Sequence, residues 1–482
     1  MVTGPLSTNE EAWAAASGWN TSDRMNEIEA LLWRSERHPR LSSTITSVLI
    51  YDQVPDWDRF FAAHDWASLL IARCRQRVLE PALPVGPPAW VPDENFQLDY
   101  HVRRTRLPAP GGLAALLELA QSLAMTPFDR TRPLWEGTLV EGFDGEKAAY
   151  VLKLHHSLTD GMGGIQLMTM VQSRTREHTP NKPLPADPLT ARETMDASGL
   201  ATVELTEQAR RVPGVLWRAL SMGVYAATHP SEVLSDAVRF AGSMRRTLSP
   251  PPAAPSPLLT NRSGTSWKFG VLECGLAELR SAAKAAGGSL NDAYVAALLG
   301  GLRRYHDRHG TSIDELPMAM PVSLRKADDP LGGNKFAGAF FAAPVGVEDP
   351  AERIATIRGT VLSLRTEPAL DTFSMVAPVL NRIPSAVGGF VYDQIGSAAD
   401  LSASNIPGVP HPVYMAGAKV ERLFPFGPLP GVAVMAAMVS HAGVCCFGIN
   451  MDGSAVQDPD VMMECLDEGL REVLELSTVE GR

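Results

Sequence analysis

A short apolar segment that runs into a dense polar turn constrains the fold of this chain more than any other feature. Tyr150–Leu154 has the sequence Tyr-Val-Leu-Lys-Leu, which is typical of a buried strand. The next segment, His155–Gly161, has the sequence His-His-Ser-Leu-Thr-Asp-Gly, and we call it the histidine turn. A glycine-rich start to a helical segment follows it. With the helical and strand patterns elsewhere in the chain, this unit predicts an α/β fold of the mixed α+β kind.

The two adjacent histidines are candidates for acid–base chemistry. Side chains alternate across a strand, so His155 and His156 should face opposite ways, and one can enter a cleft while the other supports the layer behind it. An imidazole with a pKa of about 6.5 suits a base that takes a hydroxyl proton near neutral pH. Asp160 can fix the local geometry, and Gly161 allows a conformation that a Cβ would obstruct. From the residues alone, a structural histidine pair at a strand end stays an alternative.

Two other interpretations of the histidine turn were considered. His155 and Asp160 also satisfy His-x-x-x-x-Asp, a pattern of acyltransferases that act on phosphate-bearing acceptors, and this alternative moves the base to His155. A zinc site is not expected, because adjacent strand histidines point apart and no third ligand is suggested nearby. The chain also lacks a G-x-S-x-G elbow, so its sequence does not indicate the serine nucleophile of an α/β-hydrolase.

Composition excludes several classes of protein. The formal charge of −11 leaves no basic excess to neutralise phosphates, so no nucleic-acid partner is expected. The five cysteines form no C-x-x-C pair and predict small core residues in a reducing compartment. The first residues show no secretory signal, so a cytoplasmic location is expected. The uncharged segment between Arg422 and Asp452 is interrupted by proline and glycine, and it predicts buried strands over 432–439 and 444–449 instead of a membrane span.

The length predicts more than one domain-sized unit. Proline-rich polar stretches over 179–191 and 249–257 interrupt the chain and are typical of linkers and spacers. We therefore predict an N-terminal unit of residues 1–180 that carries the histidine turn, a helical and proline-rich connection of residues 181–260, and a C-terminal unit of residues 261–482. The predicted elements are helices over 23–37, 111–123, 203–226 and 231–247, strands over 43–51, 135–140, 148–154, 317–324 and 337–347, and a helix that begins at the capping box Ser289–Asp292.

A series of short motifs extends along nearly the whole chain. In chain order they are Asp99–Arg103, Pro133–Glu136, His155–Gly161, Asn291–Asp292, Pro321–Arg325, Gly333–Asn334, Ser404–Gly408, Ala416–Ala418 and Gly427–Leu429. Together they resemble the wax ester synthase/acyl-CoA:diacylglycerol acyltransferase family, which shares the H-H-x-x-x-D-G motif with chloramphenicol acetyltransferase and peptide-synthetase condensation domains. The resemblance implies two chloramphenicol-acetyltransferase-like subdomains around a central channel, with His156 at its midpoint.

The resemblance also implies a reaction. A fatty acyl group would move from acyl-CoA, the co-substrate, to a hydroxyl of a diacylglycerol or long-chain alcohol, and the product would be triacylglycerol or wax ester. His156 would be the general base, with no acyl-enzyme, no bound cofactor and no metal. Because the substrates are apolar, peripheral contact with a membrane or lipid droplet is expected; the segment 210–225 is an interdomain helix or a lipid-surface helix. A specialised-metabolite acceptor and a non-catalytic lipid-binding protein stay alternatives.

Further residues gain roles from the resemblance. Asn291 is expected at the channel as a donor to the developing oxyanion, with a helix cap as the alternative. Ser404 and Asn405 are expected to bind the thioester or pantetheine, with a simple turn as the alternative. Three residues are expected to support the structure, Asp292 as a helix cap, Trp135 as a packing residue and Arg325 as the partner of Asp160.

Overall fold

The computed structural model describes residues 22–38, 40–83, 86–179, 196–206, 253–323, 334, 336–365, 377, 378, 380–382 and 385–479. Within these residues the helices are α1 Glu27–Ser35, α2 Trp57–Leu70, α3 Leu98–His101, α4 Leu113–Met125, α5 Gly161–Val171, α6 Leu276–Ala285, α7 Leu290–Arg308, α8 Pro350–Arg365, α9 Ser385–Gly396 and α10 Pro459–Val479. Residues 197–206 are also helical.

The strands of the described residues are interspersed with these helices, singly or in runs, so the fold is mixed α/β, as predicted. They are β1 Thr44–Tyr51, β2 Gln76–Leu79, β3 Ala89–Pro92, β4 Val102–Arg106, β5 Trp135–Phe143, β6 Lys147–His155, β7 Trp267–Gly275, β8 Leu316–Ser323, β9 Phe336–Ala343, β10 Leu401–Ile406, β11 Tyr414–Met415, β12 Ala418–Phe426, β13 Val434–His441 and β14 Val444–Asp452.

The first large sheet draws its strands from both ends of the chain. Its order is β11-β12-β1-β6-β5-β4. The pair β4 and β5 is parallel, and the other pairs are antiparallel. The central strand β6 lies between β1 and β5, with Thr44 opposite His155. On the other side of β1, Thr46 lies opposite Phe426 of β12. A strand pair from the predicted C-terminal unit therefore completes the sheet that carries the histidine turn.

The second large sheet has the order β7-β14-β13-β10-β8-β9. β10 runs parallel to both of its neighbours, β13 and β8, and the other pairs are antiparallel. Because β10 is central, its carboxyl end at Ile406 emerges from the middle of the sheet. Helices α6, α7, α8 and α10 cover this sheet and enclose a large apolar core with it.

The alternation of β6 divides its side chains between two cores. Tyr150, Leu152 and Leu154 pack in a core that contains α2 and α5. Ala149 and Val151 pack on the opposite face, in a core that includes α4 and side chains from β7 and β14. The two sheets are therefore joined through the second of these cores.

Most predicted elements are confirmed at the positions where local pattern is strong. β1, β5, β6, β13 and β14 match predicted strands, and the capping box at the start of α7 is present. β9 ends before the predicted 347, since Pro344 has no N–H to donate to a ladder. All five cysteines are buried thiols, as predicted. The predicted helices over 203–226 and 231–247 and the segment 210–225 lie largely or wholly outside the described residues, and the division into three units stays a prediction.

In the part of the chain that the structure describes, no helix combines the length and apolar character that a bilayer crossing requires.

Candidate active site

The histidine turn is fixed at both of its ends. His155 is the last residue of β6, and the N–H of His156 continues the ladder by donating to the carbonyl of Ser43 at 2.7 Å. At the other end Asp160 caps α5, since its Oδ1 accepts from the N–H of Gly163 at 2.9 Å. The strand and the helix therefore hold the intervening residues in one conformation.

His155 points into the protein, and both of its ring nitrogens contact neighbouring residues. Its side chain is 0% exposed, and its Nδ1 accepts from the backbone N–H of Ser157 at 3.0 Å and contacts the Ser157 hydroxyl at 2.7 Å. The proton of the neutral ring is therefore on Nε2, which donates to Glu36 Oε2 at 3.0 Å. Burial acts to raise the pKa of Glu36, but the interactions with His155, the Ser43 amide and Arg130 outweigh it and hold that pKa below its ordinary value.

His156 faces a different environment and is half-buried. Its Nδ1 lies 2.8 Å from Oδ1 of Asn334, and Nδ2 of Asn334 donates to the carbonyl oxygen of His156 at 2.7 Å. Burial lowers the pKa of His156. The charge of Asp160, a hydrogen bond of the ring to its own backbone and the hydrogen bond with Asn334 oppose this shift without cancelling it. The ring is consequently neutral near pH 7, which is the form a general base needs.

Asn334 reaches His156 from the second half of the chain. It is 2% exposed, and its carbonyl accepts from Nδ2 of Asn26 at 3.2 Å. Asn26 in turn forms a capping box with Glu29 at the start of α1. The base candidate therefore lies where α1, the histidine turn and the second half meet.

Gly161 is the point at which the second sheet approaches the histidine turn. A Cβ on this residue would lie 2.5 Å from Cδ1 of Ile406, the last residue of β10. Gly161 has no left-handed φ, so the close approach of Ile406 and not the backbone conformation makes a side chain unfavourable here. Ser404 and Asn405, both half-buried, immediately precede Ile406 on β10, so β10 brings these two predicted residues towards the turn.

The Asn-Asp motif begins helix α7. Asp292 accepts from the Ser289 N–H at 2.8 Å, which completes the capping box, and it lies 3.5 Å from Arg358. Asn291 is half-buried and directs its amide Nδ2 towards the sulfur of Met320 on β8, at 3.5 Å. The geometry gives Asp292 a structural contact, whereas the role of Asn291 at the channel stays a prediction.

Trp135 is a buried packing residue beside the active-site strand. Its Nε1 donates to the carbonyl of Cys74 at 2.8 Å, and its ring stacks between those of His101 and His64. Arg325, the predicted partner of Asp160, lies outside the described residues.

An apolar cavity lies beside β6, between the first sheet and helices α2 and α5. Its walls include Leu152 and Leu154 of β6 and Leu167, Met168 and Val171 of α5. Since β6 and α5 also position His156, the cavity and the base candidate share the same two elements.

Sequence patterns did not identify two partners of the histidines. Glu36 is 119 positions from His155, and Asn334 is 178 positions from His156. The motif Gly333–Asn334 marked Asn334 as a candidate residue, but the motif did not indicate that Asn334 contacts His156. Across the described residues, no group of three or more His, Cys, Asp or Glu side chains could hold a metal ion.

Comparison with known proteins identifies matching families over most of the chain. Residues 25–294 match the model of the wax ester synthase/diacylglycerol acyltransferase catalytic domain, and residues 332–474 match that of the WS/DGAT C-terminal domain. A Mycobacterium tuberculosis protein named provisionally as a diacylglycerol O-acyltransferase is 40% identical over 464 residues, which cover 95% of this chain and 92% of the relative.

Solved structures share the fold at lower identity. The wax ester synthase/diacylglycerol acyltransferase of Marinobacter aquaeolei VT8 superposes with a TM-score of 0.63 at 20% identity, over 95% of this chain and 100% of that one. A starter condensation domain of rhizomide synthetase, solved with C8-CoA and Leu-SNAC, gives a TM-score of 0.57 at 14% identity, over 95% of both chains. These likenesses confirm the predicted fold class.

Proposed function

This chain belongs to the wax ester synthase/diacylglycerol acyltransferase family and is an acyl-CoA-dependent O-acyltransferase, and from that premise we propose that His156 is the general base for direct acyl transfer to a lipid hydroxyl. The acceptor in this proposal is a diacylglycerol or a long-chain alcohol, and the product is triacylglycerol or wax ester. The transfer uses no acyl-enzyme.

The contrast between the two histidines carries this proposal. His155 is 0% exposed, and both of its ring nitrogens are engaged by residues of the fold. His156 is half-buried, and its lowered pKa favours the neutral ring. A base can take the proton of a substrate hydroxyl only if the hydroxyl can approach it. The geometry therefore favours His156 and disfavours the His-x-x-x-x-Asp alternative, which uses His155.

The proposed mechanism accounts for the proton, the oxyanion and the leaving group. His156 takes the hydroxyl proton of the acceptor while the acceptor oxygen attacks the thioester carbonyl of acyl-CoA. The resulting oxyanion is stabilised by donors around Gly161 or by the Asn291 amide. When the intermediate collapses, the carbon–sulfur bond breaks, coenzyme A leaves as a thiolate, and the thiolate recovers the proton from His156. A thiol pKa of about 8.5 makes this departure easy without a metal.

Ser157, His155 and Glu36 form an arrangement that resembles the catalytic triad of a serine hydrolase. The Ser157 hydroxyl, the His155 ring and the Glu36 carboxylate are joined in sequence at 2.7 and 3.0 Å. However, Ser157 and His155 are both 0% exposed, so a thioester carbonyl has no route to the serine oxygen. Burial of this triad supports direct transfer over a covalent intermediate.

We assign the acyl chain of the thioester to the apolar cavity between β6, α2 and α5. Its apolar walls come from β6 and α5, the elements that also hold His156. An acyl chain that enters there loses contact with water, which favours binding in proportion to the apolar area buried. Access for such substrates implies peripheral contact with a membrane or lipid droplet in the cytoplasm.

The decisive experiment measures thiol release from palmitoyl-CoA with hexadecanol, dipalmitoylglycerol or no acceptor. The wild-type protein is compared with His156→Ala, His155→Ala and Ser157→Ala. We expect acceptor-dependent release that falls by about 10²–10⁴-fold in His156→Ala, while soluble, folded Ser157→Ala retains most activity. Retained activity in His156→Ala would reject the assigned base. Loss in Ser157→Ala together with a trapped acyl group would indicate an acyl-enzyme, and release without an acceptor would indicate a thioesterase.

A further inference from the structure

We propose that Asn334 is a positioning residue that fixes the tautomer of His156 and so makes the base depend on the second half of the chain. This inference rests on the proposed function of His156 as the base. It concerns the residue that holds the proton on one nitrogen of the ring before the reaction.

The orientation of the Asn334 amide follows from its second contact. Nδ2 of Asn334 lies 2.7 Å from the carbonyl oxygen of His156, and a carbonyl oxygen can only accept. The NH₂ group must therefore face this carbonyl, because the flipped amide would set two oxygens against each other. In consequence the amide oxygen Oδ1 faces the ring, at 2.8 Å from Nδ1.

The tautomer follows from this orientation. An amide oxygen can only accept, so Nδ1 of His156 must donate to it and must carry the proton. In a neutral imidazole the other nitrogen, Nε2, then has the lone pair that a base requires. The neighbouring His155 has the opposite tautomer, since its Nδ1 accepts from the backbone N–H of Ser157. A local amide selects the tautomer of His155, whereas at His156 the amide of Asn334, 178 positions away, acts together with the ring's hydrogen bond to its own backbone.

Asn334 is itself held by the start of α1. Its carbonyl accepts from Nδ2 of Asn26 at 3.2 Å, and its backbone N–H donates to the Glu29 carboxylate. Arg73 lies 3.4 Å from the same carboxylate, and both side chains of this ion pair are 1% exposed. A displaced or misaligned second half would withdraw Asn334 and leave the hydrogen bond between the ring and its own backbone as the remaining bias towards one tautomer, so the fraction of competent base would fall.

The test combines a direct observation of the tautomer with kinetics on the full chain. Histidine rings labelled with nitrogen-15 report which ring nitrogen carries the proton, and the His156 signals are assigned by their loss in His156→Gln. The variants are Asn334→Ala, which removes the acceptor, and Asn334→Asp, which keeps an acceptor and adds a charge. Asn450→Ala is the matched control, because Asn450 is also fully buried and its amide donates to a backbone carbonyl, that of Gly427 and not that of His156.

We expect wild-type His156 to carry its proton on Nδ1 when neutral. Asn334→Ala should raise the fraction of His156 that carries its proton on Nε2 and lower kcat in proportion to the lost Nδ1-protonated fraction, with a smaller change in KM for palmitoyl-CoA. Asn334→Asp should keep the Nδ1 proton and raise the pKa of His156, so that the acid limb of kcat moves to higher pH. Asn450→Ala should keep the wild-type tautomer and pH profile.

Two results would overturn the inference. One is a proton on Nε2 of wild-type His156, and the other is an Asn334→Ala variant that keeps both the wild-type tautomer and the wild-type kcat. The spectra answer the question even if Asn334→Ala is poorly stable, since wild type and Asn334→Asp are informative without it. If no lipid acceptor supports turnover, the proposed function fails while the tautomer remains measurable, so the two failures are distinguishable.

Discussion

The Nε2 of His155 donates to the Glu36 carboxylate at 3.0 Å, across 119 positions of sequence. This bond gives the first histidine of the motif a structural role. It ties the end of β6 to the residue that follows α1. Removing one partner of a buried, charge-assisted hydrogen bond leaves the other unsatisfied, which is more costly than the bond is stabilising.

His155→Ala should therefore lower the free energy of unfolding by about 3 kcal/mol, because it leaves space at a fully buried position and removes one of the hydrogen bonds of the Glu36 carboxylate. Urea denaturation at pH 7 measures this change. The purified, folded fraction of His155→Ala should retain more activity than that of His156→Ala. Equal stability of His155→Ala and wild type would show that the pair is not structural.

The pH dependence of turnover should reflect His156. Burial lowers the pKa of this ring below 6.5, and a base acts only when neutral, so kcat should fall as the pH drops through a value below 6.5. Asp160→Asn keeps an N-cap on α5 but removes the charge that opposes the shift. Its acid limb should therefore move to still lower pH in a kcat profile. A limb that moves upward would contradict the assignment of this ionisation to His156.

The close approach of Ile406 to Gly161 predicts a compensating pair of substitutions. In Gly161→Ala the new Cβ would meet Cδ1 of Ile406 at 2.5 Å, and that flexible side chain must move. We expect stability to change little and kcat/KM to fall by about 10- to 100-fold, because small displacements at a reacting site are costly. Ile406→Val removes Cδ1 and should restore part of the activity of Gly161→Ala. Additive losses in the double variant would exclude this contact as the cause.

Chain-length preference should respond to the walls of the apolar cavity. Met168 lines the cavity, whereas Met170 on the same helix is equally buried but is not part of its wall. Met168→Phe should lower the ratio of kcat/KM for palmitoyl-CoA to that for octanoyl-CoA by about tenfold. Met170→Phe imposes a similar packing change and should leave the ratio unaltered. The same shift in both variants would place the acyl chain elsewhere.

Acid should destabilise the protein through two buried histidines that flank Trp135. Burial lowers the pKa of His64 and of His101 to about 4, and Nε2 of His101 has no hydrogen-bond partner among the described atoms. Between pH 6.5 and pH 4 these two histidines bind protons in the unfolded chain but not in the folded chain. The stabilisation that depends on their neutral rings is therefore complete above pH 6.5 and is lost as the pH falls towards 4. Each ring should contribute up to about 3 kcal/mol to this loss.

His101→Gln removes one of these ionisations and supplies the control. The difference in free energy of unfolding between pH 7 and pH 4 should be smaller in this variant than in wild type, as measured by urea denaturation at both values. Carboxylates titrate in both proteins, so the comparison isolates the histidine. An unchanged difference would show that His101 does not titrate in this range.

The local sequence determined much of the architecture. The apolar run before His155 is sufficient for β6, and the alternation along it distributes side chains between two cores. The capping box from Ser289 to Asp292 begins α7 where the pattern places it. These features depend on residues within a few positions of each other, and periodicity and capping chemistry act over that range. The family motifs were sufficient for the fold class and for the histidine pair.

Only the tertiary structure decided how the two histidines differ. Their sequence neighbours are shared, but Glu36 reaches one ring and Asn334 the other, and β12 and Ile406 arrive at the same region from the far end of the chain. No local pattern encodes such contacts, because they form when distant elements pack and place a donor within about 3 Å of an acceptor. Chain order alone specifies neither that distance nor the burial that lowers the pKa of His156.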